Sequence, residues 1–358
     1  MAFSQVPEVS KNQINKAGQI LVKENSSQEE IFLARFLADQ WRACHAYPIN
    51  TFQSTLRDKL RDFPDTIVAQ RLKRMPTIID KLKRYPAMKL STMQDIGGVR
   101  AVLKSVSDVN ILAKNYREND RFLHELINEH NYIKTPRDED GYRSIHLVYK
   151  YKNQRNPSYN GLRIELQIRT KLQHIWATAV ETMGTFLGQA LKSRQGDQEW
   201  LDFFALTSSA FAYQEKSPLI PRFANLSRSE TYIAVADAEA NLRALEKMKG
   251  FSSAAKEIVR SGKGWFYHLI ILDSLEGTVK IQPYDRDSFD QAMFDYTEIE
   301  KEAASGKKIE PVLVSAGPID TLRRAYPNFF LDIGGFVNVV KEILTTAKQF
   351  RKKGLKHI

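Results

Sequence analysis

The chain has 358 residues, 42% of them hydrophobic, and a formal net charge of +11; this allows a sizeable core in more than one domain and points to a polyanionic partner. No run approaches the roughly 18 apolar residues of a membrane span, and the N-terminal MAFSQVPEVSKNQ has no apolar signal region, so a cytoplasmic protein without membrane attachment is expected. Cys44 is the one cysteine and the seven histidines form no H-x-x-x-H pair, which excludes an internal disulfide and a cysteine-based zinc site.

In chain order, residues 1–63 read as a helical segment, with two helices over 27–62 broken at Tyr47-Pro48 and Ser26 or Ser27 as the cap before Gln28-Glu29-Glu30. Arg71 to Lys83, RLKRMPTIIDKLK, strings basic side chains along a strand-to-helix segment. Gln94 to Arg100, QDIGGVR, reads as a short strand entered by Asp95. A turn over Pro136 to Gly141 leads into a strand over Gly141 to Tyr151, on which Tyr142, Ser144 and His146 share a face. Leu162 to Thr170, LRIELQIRT, alternates strictly: Leu162, Ile164, Leu166 and Ile168 face one way, Arg163, Glu165, Gln167 and Arg169 the other.

Helices are then expected over Thr170 to Leu187 and Trp200 to Tyr213, separated by the breaker Arg194 to Asp197. A helical connector over 226–261 is interrupted near Gly250-Phe251-Ser252. The remainder, 262–358, reads β-β-α-β-α: a hairpin of Trp265 to Leu272 and Gly277 to Tyr284, a helix over Ser288 to Ala304, a strand over Ile309 to Ser315 and a final helix over Gly335 to Arg351.

The chemistry gathers in residues 64–225. Mg²⁺ prefers one or two carboxylates plus substrate phosphate oxygens, so Asp95 and Glu165 suffice as protein ligands if their strands are neighbours. Phosphoryl-type transfer needs positioning and cations around the moving group, which Arg71, Lys73 and Lys81 supply. Tyr142 offers a flat face on which a base can stack.

The ordered set R-x-K-x-x-x-T-x-x-x-K (Arg71, Lys73, Thr77, Lys81), DIGGVR (Asp95 to Arg100), YIKTPR…DGYRSIH (Tyr132 to His146) and ELQIRTKLQHIWA (Glu165 to Ala177) resembles the RelA/SpoT alarmone synthetase domain. That resemblance implies an α+β, nucleotidyltransferase-like fold with a mixed β-sheet flanked by helices. It implies transfer of the β,γ-pyrophosphate of ATP to a ribose 3′-hydroxyl. Arg71, Lys73, Thr77 and Lys81 then belong to ATP, and Asp95 and Glu165 to catalysis and Mg²⁺. Tyr142, Arg143, His146, Gln167 and Arg169 belong to the acceptor. Thr77 stands where Ser is usual, Asp140 where Asn often precedes Gly-Tyr, and Arg137 in place of Lys. The family's hydrolase domain carries a His-Asp pair, and no His-Asp dipeptide occurs here, so the chain is expected to synthesise and not to degrade.

A synthetase followed by a cysteine-free β/α tail is similar to the fused toxin–antitoxin, CapRel-type branch of the family. There 262–358 acts as an antitoxin-like regulatory domain, with Tyr326 and Phe329 of AYPNFF plugging the nucleotide pocket by stacking. On that resemblance the acceptor is the 3′-terminal adenosine of tRNA, the partners are tRNA and a phage protein that releases the tail, and the biology is antiphage defence. The competing readings are a synthetase of ppGpp or pppGpp from GDP or GTP, and a catalytically inert binding module.

Overall fold

The computed structural model describes residues 3–73, 75–118, 122–186, 198–261, 265–273, 276, 278–305, 307, 309–315 and 333–354. Backbone proximity divides the chain into two compact units. One holds residues 1–133 and 143–171, the other 134–142 and 172–358.

The first unit is built on a five-stranded mixed sheet: β1 (Ile67–Leu72), β2 (Gly97–Leu103), β3 (Glu125–Asn131), β4 (Ile145–Lys150) and β5 (Arg163–Thr170), in the order β1-β2-β5-β4-β3. β2 and β5 are parallel, with Gly98 opposite Glu165 and Arg100 opposite Gln167; the other pairings are antiparallel. The alternation of LRIELQIRT is realised as far as Ile168: Ile164, Leu166 and Ile168 are fully buried in the core, and Glu165 and Gln167 occupy the half-buried opposite face, but Arg169, expected with them, is buried at the strand's end. Phe52 and Leu56 of α3 (Ala46–Lys59) join the core, as do Val109 and Leu112 of α5 (Val106–Arg117).

Local chemistry sets the helix boundaries. α1 (Lys11–Ile20) and α2 (Gln28–Ala43) open on reciprocal capping boxes, Ser10 with Gln13 and Ser27 with Glu30. The break between α2 and α3 falls at Cys44–His45, just ahead of the expected Tyr47-Pro48. Pro48 sits inside the first turn of α3, where its missing N–H breaks no helical bond. α4 (Met75–Arg84) follows β1 directly and carries Thr77 and Lys81 one turn apart.

In the second unit, α6 (Lys171–Phe186) and α7 (Gln198–Glu215) bury Trp176 and Phe204, with the Trp176 indole N–H donating to the Phe204 carbonyl at 2.8 Å. α8 (Arg228–Leu242) and α9 (Ala244–Ser261) are separated at Arg243 and not at Gly250, which lies inside α9. Arg243 adopts φ 52°, ψ 39° and caps α8 through its N–H to the Glu239 carbonyl. A side chain in this left-handed region is strained. Arg243→Gly is therefore expected to raise unfolding free energy in urea by about 0.5–1 kcal/mol, the exposed ion pair with Glu246 contributing little against it.

The β-β-α-β-α reading of the C-terminal part holds for the described residues: β6 (Tyr267–Asp273), β7 (Thr278–Tyr284), α10 (Phe289–Ala304), β8 (Ile309–Ser315) and α11 (Gly334–Gly354). The strands form an antiparallel sheet in the order β7-β6-β8. α11 packs on α8, pairing Arg351 with Asp237 and Phe350 with Tyr232. Arg194 to Asp197, Tyr326 and Phe329 lie outside the described residues. Among the described residues no helix is long and apolar enough to cross a membrane.

Candidate active site

The polar face of the first unit's sheet gathers its charged side chains at one end. β1 finishes at Leu72 opposite Gly97, where β2 starts, so Lys73 leaves one strand as Asp95 approaches the next. The Lys73 N–H donates to the Ile96 carbonyl at 2.7 Å and locks the two segments together. Lys73 Nζ then lies 2.8 Å, and Lys81 Nζ from α4 2.9 Å, from the same carboxylate oxygen, Asp95 Oδ2. Burial alone would raise the Asp95 carboxyl, but the two ammonium groups override it and hold it far below the usual range. Burial pushes the Lys73 ammonium down; Asp95 opposes this and Arg71 and Lys81 add to it.

Glu165 is held by a different set. His146 Nδ1 lies 2.9 Å from Oε1, and Gln167 Nε2 donates to Oε2 at 2.7 Å. The amide of Gln167 is itself oriented: its Oε1 accepts from Arg100 Nε at 3.1 Å and Nη2 at 3.0 Å, which turns its NH₂ toward Glu165. Burial raises the Glu165 carboxyl and Asp95 adds to that, but His146 and Gln167 outweigh both and leave it below its ordinary value. Asp95 leads into β2, whose Gly98 lies opposite Glu165, so the two carboxylates belong to the same end of neighbouring strands. Gly98 sits between Arg71 on β1 and Glu165 on β5 in register. A Cβ there would meet the Glu165 carbonyl at 3.1 Å, so glycine keeps this floor open.

The residues fit a divalent cation at Asp95. Asp95 Oδ1 is buried without a hydrogen-bond partner, whereas both oxygens of Glu165 are already engaged. Among the described residues no three His, Cys, Asp or Glu side chains converge as an all-protein cage. That suits an ion taking one or two carboxylates and completing its shell with phosphate oxygens and water.

Residues 70–184 match the family model described as the region found in RelA and SpoT proteins. Over this stretch the chain is similar to RelA and SpoT proteins. GTP pyrophosphokinase YjbM of Bacillus subtilis strain 168 is 33% identical over 117 residues, 32% of this chain and 54% of that protein. GTP pyrophosphokinase YwaC of the same organism is 27% identical over 114 residues, 30% of this chain and 52% of that one. The chain thus spans about half the length of these curated relatives. Among solved structures, the small alarmone synthetase 1 from Bacillus subtilis aligns at TM-score 0.41 and 23% identity, covering 48% of this chain and 88% of that one.

Within residues 70–184 the first unit brings together Lys73, Lys81, Asp95, His146, Glu165 and Gln167, with Arg71 on the same face and Thr77 half-buried on α4. Arg143 and Arg169 are buried, at 3% and 2% exposure, so neither presents a cationic surface to a large acceptor. Tyr142 belongs to the second unit and is 9% exposed, with the Arg137 guanidinium over its ring at 4.5 Å from the centroid. Arg137 in turn pairs with buried Asp140, whose Oδ1 also accepts the Tyr142 N–H at 2.9 Å. Two departures from the family pattern, Arg137 and Asp140, are therefore one coupled ion pair bracing Tyr142.

Arg100, inside DIGGVR, is a site residue whose role the motif alone does not disclose: it orients Gln167. No sequence motif marks Asn128 and His130 of β3, where Asn128 Nδ2 donates to Gln94 Oε1 at 3.1 Å and the His130 ring stacks on Tyr132. For Arg100 the available signal is the period of two in GGVR, which puts Gly98 and Arg100 on one face.

Proposed function

We propose that the first unit transfers the β,γ-pyrophosphate of ATP to a ribose 3′-hydroxyl, releasing AMP. The observation that carries this reading is Asp95: a carboxylate kept ionised by two lysines, with one buried oxygen uncommitted, beside a second anchored carboxylate. Lys73, Lys81 and Arg71 meet the triphosphate, exchanging a carboxylate for phosphate oxygens. A Mg²⁺ ion bound at Asp95 would supply charge neutralisation at the transferred group. Glu165 stays ionised at neutral pH with a low affinity for protons. This suits it to orienting the attacking hydroxyl, or to sharing the cation, better than to taking the proton as a strong base.

The acceptor in this proposal is the 3′-terminal adenosine of tRNA, with 262–358 as the regulatory domain, Tyr326 and Phe329 as its plug and a phage protein as its release. The support is the sequence resemblance and the net charge of +11. A second reading, GDP or GTP as acceptor, is favoured by the names of the relatives, which are GTP pyrophosphokinases.

The test is incubation of the full chain, and of Tyr326→Ala, with γ-³²P-ATP, Mg²⁺ and either deacylated tRNA or GDP and GTP. Label on the tRNA 3′ end is the expected result, stronger in the variant. Label on a guanosine nucleotide replaces the acceptor, and no label from either folded protein overturns the transfer reading.

A further inference from the structure

The first unit has a second concentration of cations, away from Asp95. An open cleft of about 860 Å³ lies between α3, the residues leading into β3 and the loop joining β4 to β5. Lys59, Lys152 and Arg155 line it, and none of the three forms an ion pair among the described residues. Its one carboxylate, Asp58, is already paired with Arg61 at 2.7 Å.

This cleft is held in shape. The His124 ring packs on both Phe52 and Tyr151, at centroid distances of 4.7 and 4.8 Å, and its Nδ1 accepts the Lys152 N–H at 3.1 Å. Asn153 Oδ1 accepts the N–H groups of Arg155 and Asn156 at 2.8 and 3.1 Å. Lys152 and Arg155 therefore project from an anchored turn. Lys59 is half-buried, its ammonium 4.9 Å from the centre of the Tyr116 ring, and burial pushes that ammonium down. A cation partly stripped of water and left without a carboxylate favours an incoming anion.

The strand register places this cleft at the same end of the sheet as the transfer site. Leu72 pairs with Gly97, Gly97 with Ile164, Arg163 with Lys150, and Lys150 with Glu125. Lys73, Asp95, Lys152 and His124 thus all flank the same end of the sheet. From β2 to β4 is two strand spacings, roughly 10 Å. The cleft opens on the α3 side of the sheet and Glu165 on the other face, so a ligand that occupies both must wrap this end of the sheet, which a polynucleotide can do and a mononucleotide cannot.

We propose that Lys59, Lys152 and Arg155 form a docking surface for the phosphate backbone of the RNA acceptor, on the side of the sheet end away from α4. The proposal rests on the RNA reading of the acceptor and supplies the backbone-binding surface that buried Arg143 and Arg169 do not.

The experiment is fluorescence anisotropy of labelled deacylated tRNA with the full-length protein across a salt series, without ATP. It compares wild type, Lys152→Gln/Arg155→Gln and Lys59→Gln. Lys152 and Arg155 are exposed, so the double variant is expected to melt with wild type and to bind ATP equally. The log–log salt slope should fall by about 1.4 in the double variant and about 0.7 in Lys59→Gln, with at least a tenfold loss of tRNA affinity in the double variant. Unchanged slopes, or no tRNA binding by wild type, overturn the surface. Loss of GTP binding with tRNA binding intact also overturns it, making the cleft a nucleotide pocket. Binding with the expected slopes but no ³²P transferred to tRNA in the assay above would instead overturn tRNA as the acceptor and leave the surface standing.

Discussion

Asp95→Asn is expected to reduce pyrophosphate transfer at least 10³-fold while leaving a folded protein. The substitution preserves volume and one oxygen but removes the charge that Lys73 and Lys81 share. Two effects follow from that loss. An uncharged amide is a poor ligand for a hard divalent cation, so the electrostatic stabilisation of the transferred group falls, an effect of several kcal/mol at such sites. The lysines are also left facing each other: Lys73, 7% exposed, keeps its desolvation cost and its repulsion from Lys81 and Arg71 without the compensating anion. Breaking a buried pair costs about 3–5 kcal/mol; with Asp95 and Lys81 near one-fifth exposed, about 2 kcal/mol is expected here. Transfer assays with labelled ATP and urea denaturation measure the two separately. Wild-type turnover in the Asp95→Asn protein would remove Asp95 from the chemistry.

The sequence made the core of this site legible because β5 carries it on one strand. Strict alternation separated Ile164, Leu166 and Ile168 from Glu165 and Gln167, and the structure keeps that division. Arg169 shares the sequence parity of Glu165 but is buried at the strand's end, where alternation no longer predicts exposure. Register was the missing information. Nothing local says that β2, more than 60 residues earlier, lies parallel against β5, so the bond from Arg100 to Gln167 follows from tertiary pairing alone. β3 carries little strand signal because ELINEHN is mostly polar. α5 does carry a start signal, the capping box of Ser105 and Asp108.

The interruption of the long C-terminal helical stretch shows the opposite failure. Gly250 is the conventional breaker, yet a glycine inside a helix costs only about 1 kcal/mol, and α9 absorbs it. The chain instead turns at Arg243, a good helix former driven into a left-handed conformation. Propensity ranks residues; the packing of α8 and α9 decides where the bend falls.

Glu165→Gln is the second substitution expected to abolish transfer, by at least 10³-fold, and its physical cost is more specific. A glutamine keeps one acceptor and gains two donors. Gln167 cannot turn to suit it, because the Arg100 fork fixes its oxygen and aims its NH₂ at position 165. The new amide must therefore present its oxygen to Gln167 and its NH₂ to His146, which has to accept at Nδ1 as the neutral ring. Charge leaves the site although most hydrogen bonds survive, so stability at pH 7 should fall by only about 1 kcal/mol. Acid separates the two proteins further. The folded-state value of Glu165 lies below the ordinary 4.5, so its ionisation contributes stability that is complete above 4.5 and is lost as the pH falls toward the folded value. Glutamine has no such dependence. The stability gap between wild type and Glu165→Gln should therefore narrow below pH 4.5, as urea titrations at pH 7 and in acid would measure. A gap that is constant with pH would mean that His146 and Gln167 do not hold Glu165 ionised, and the orienting role assigned to it would fail with them.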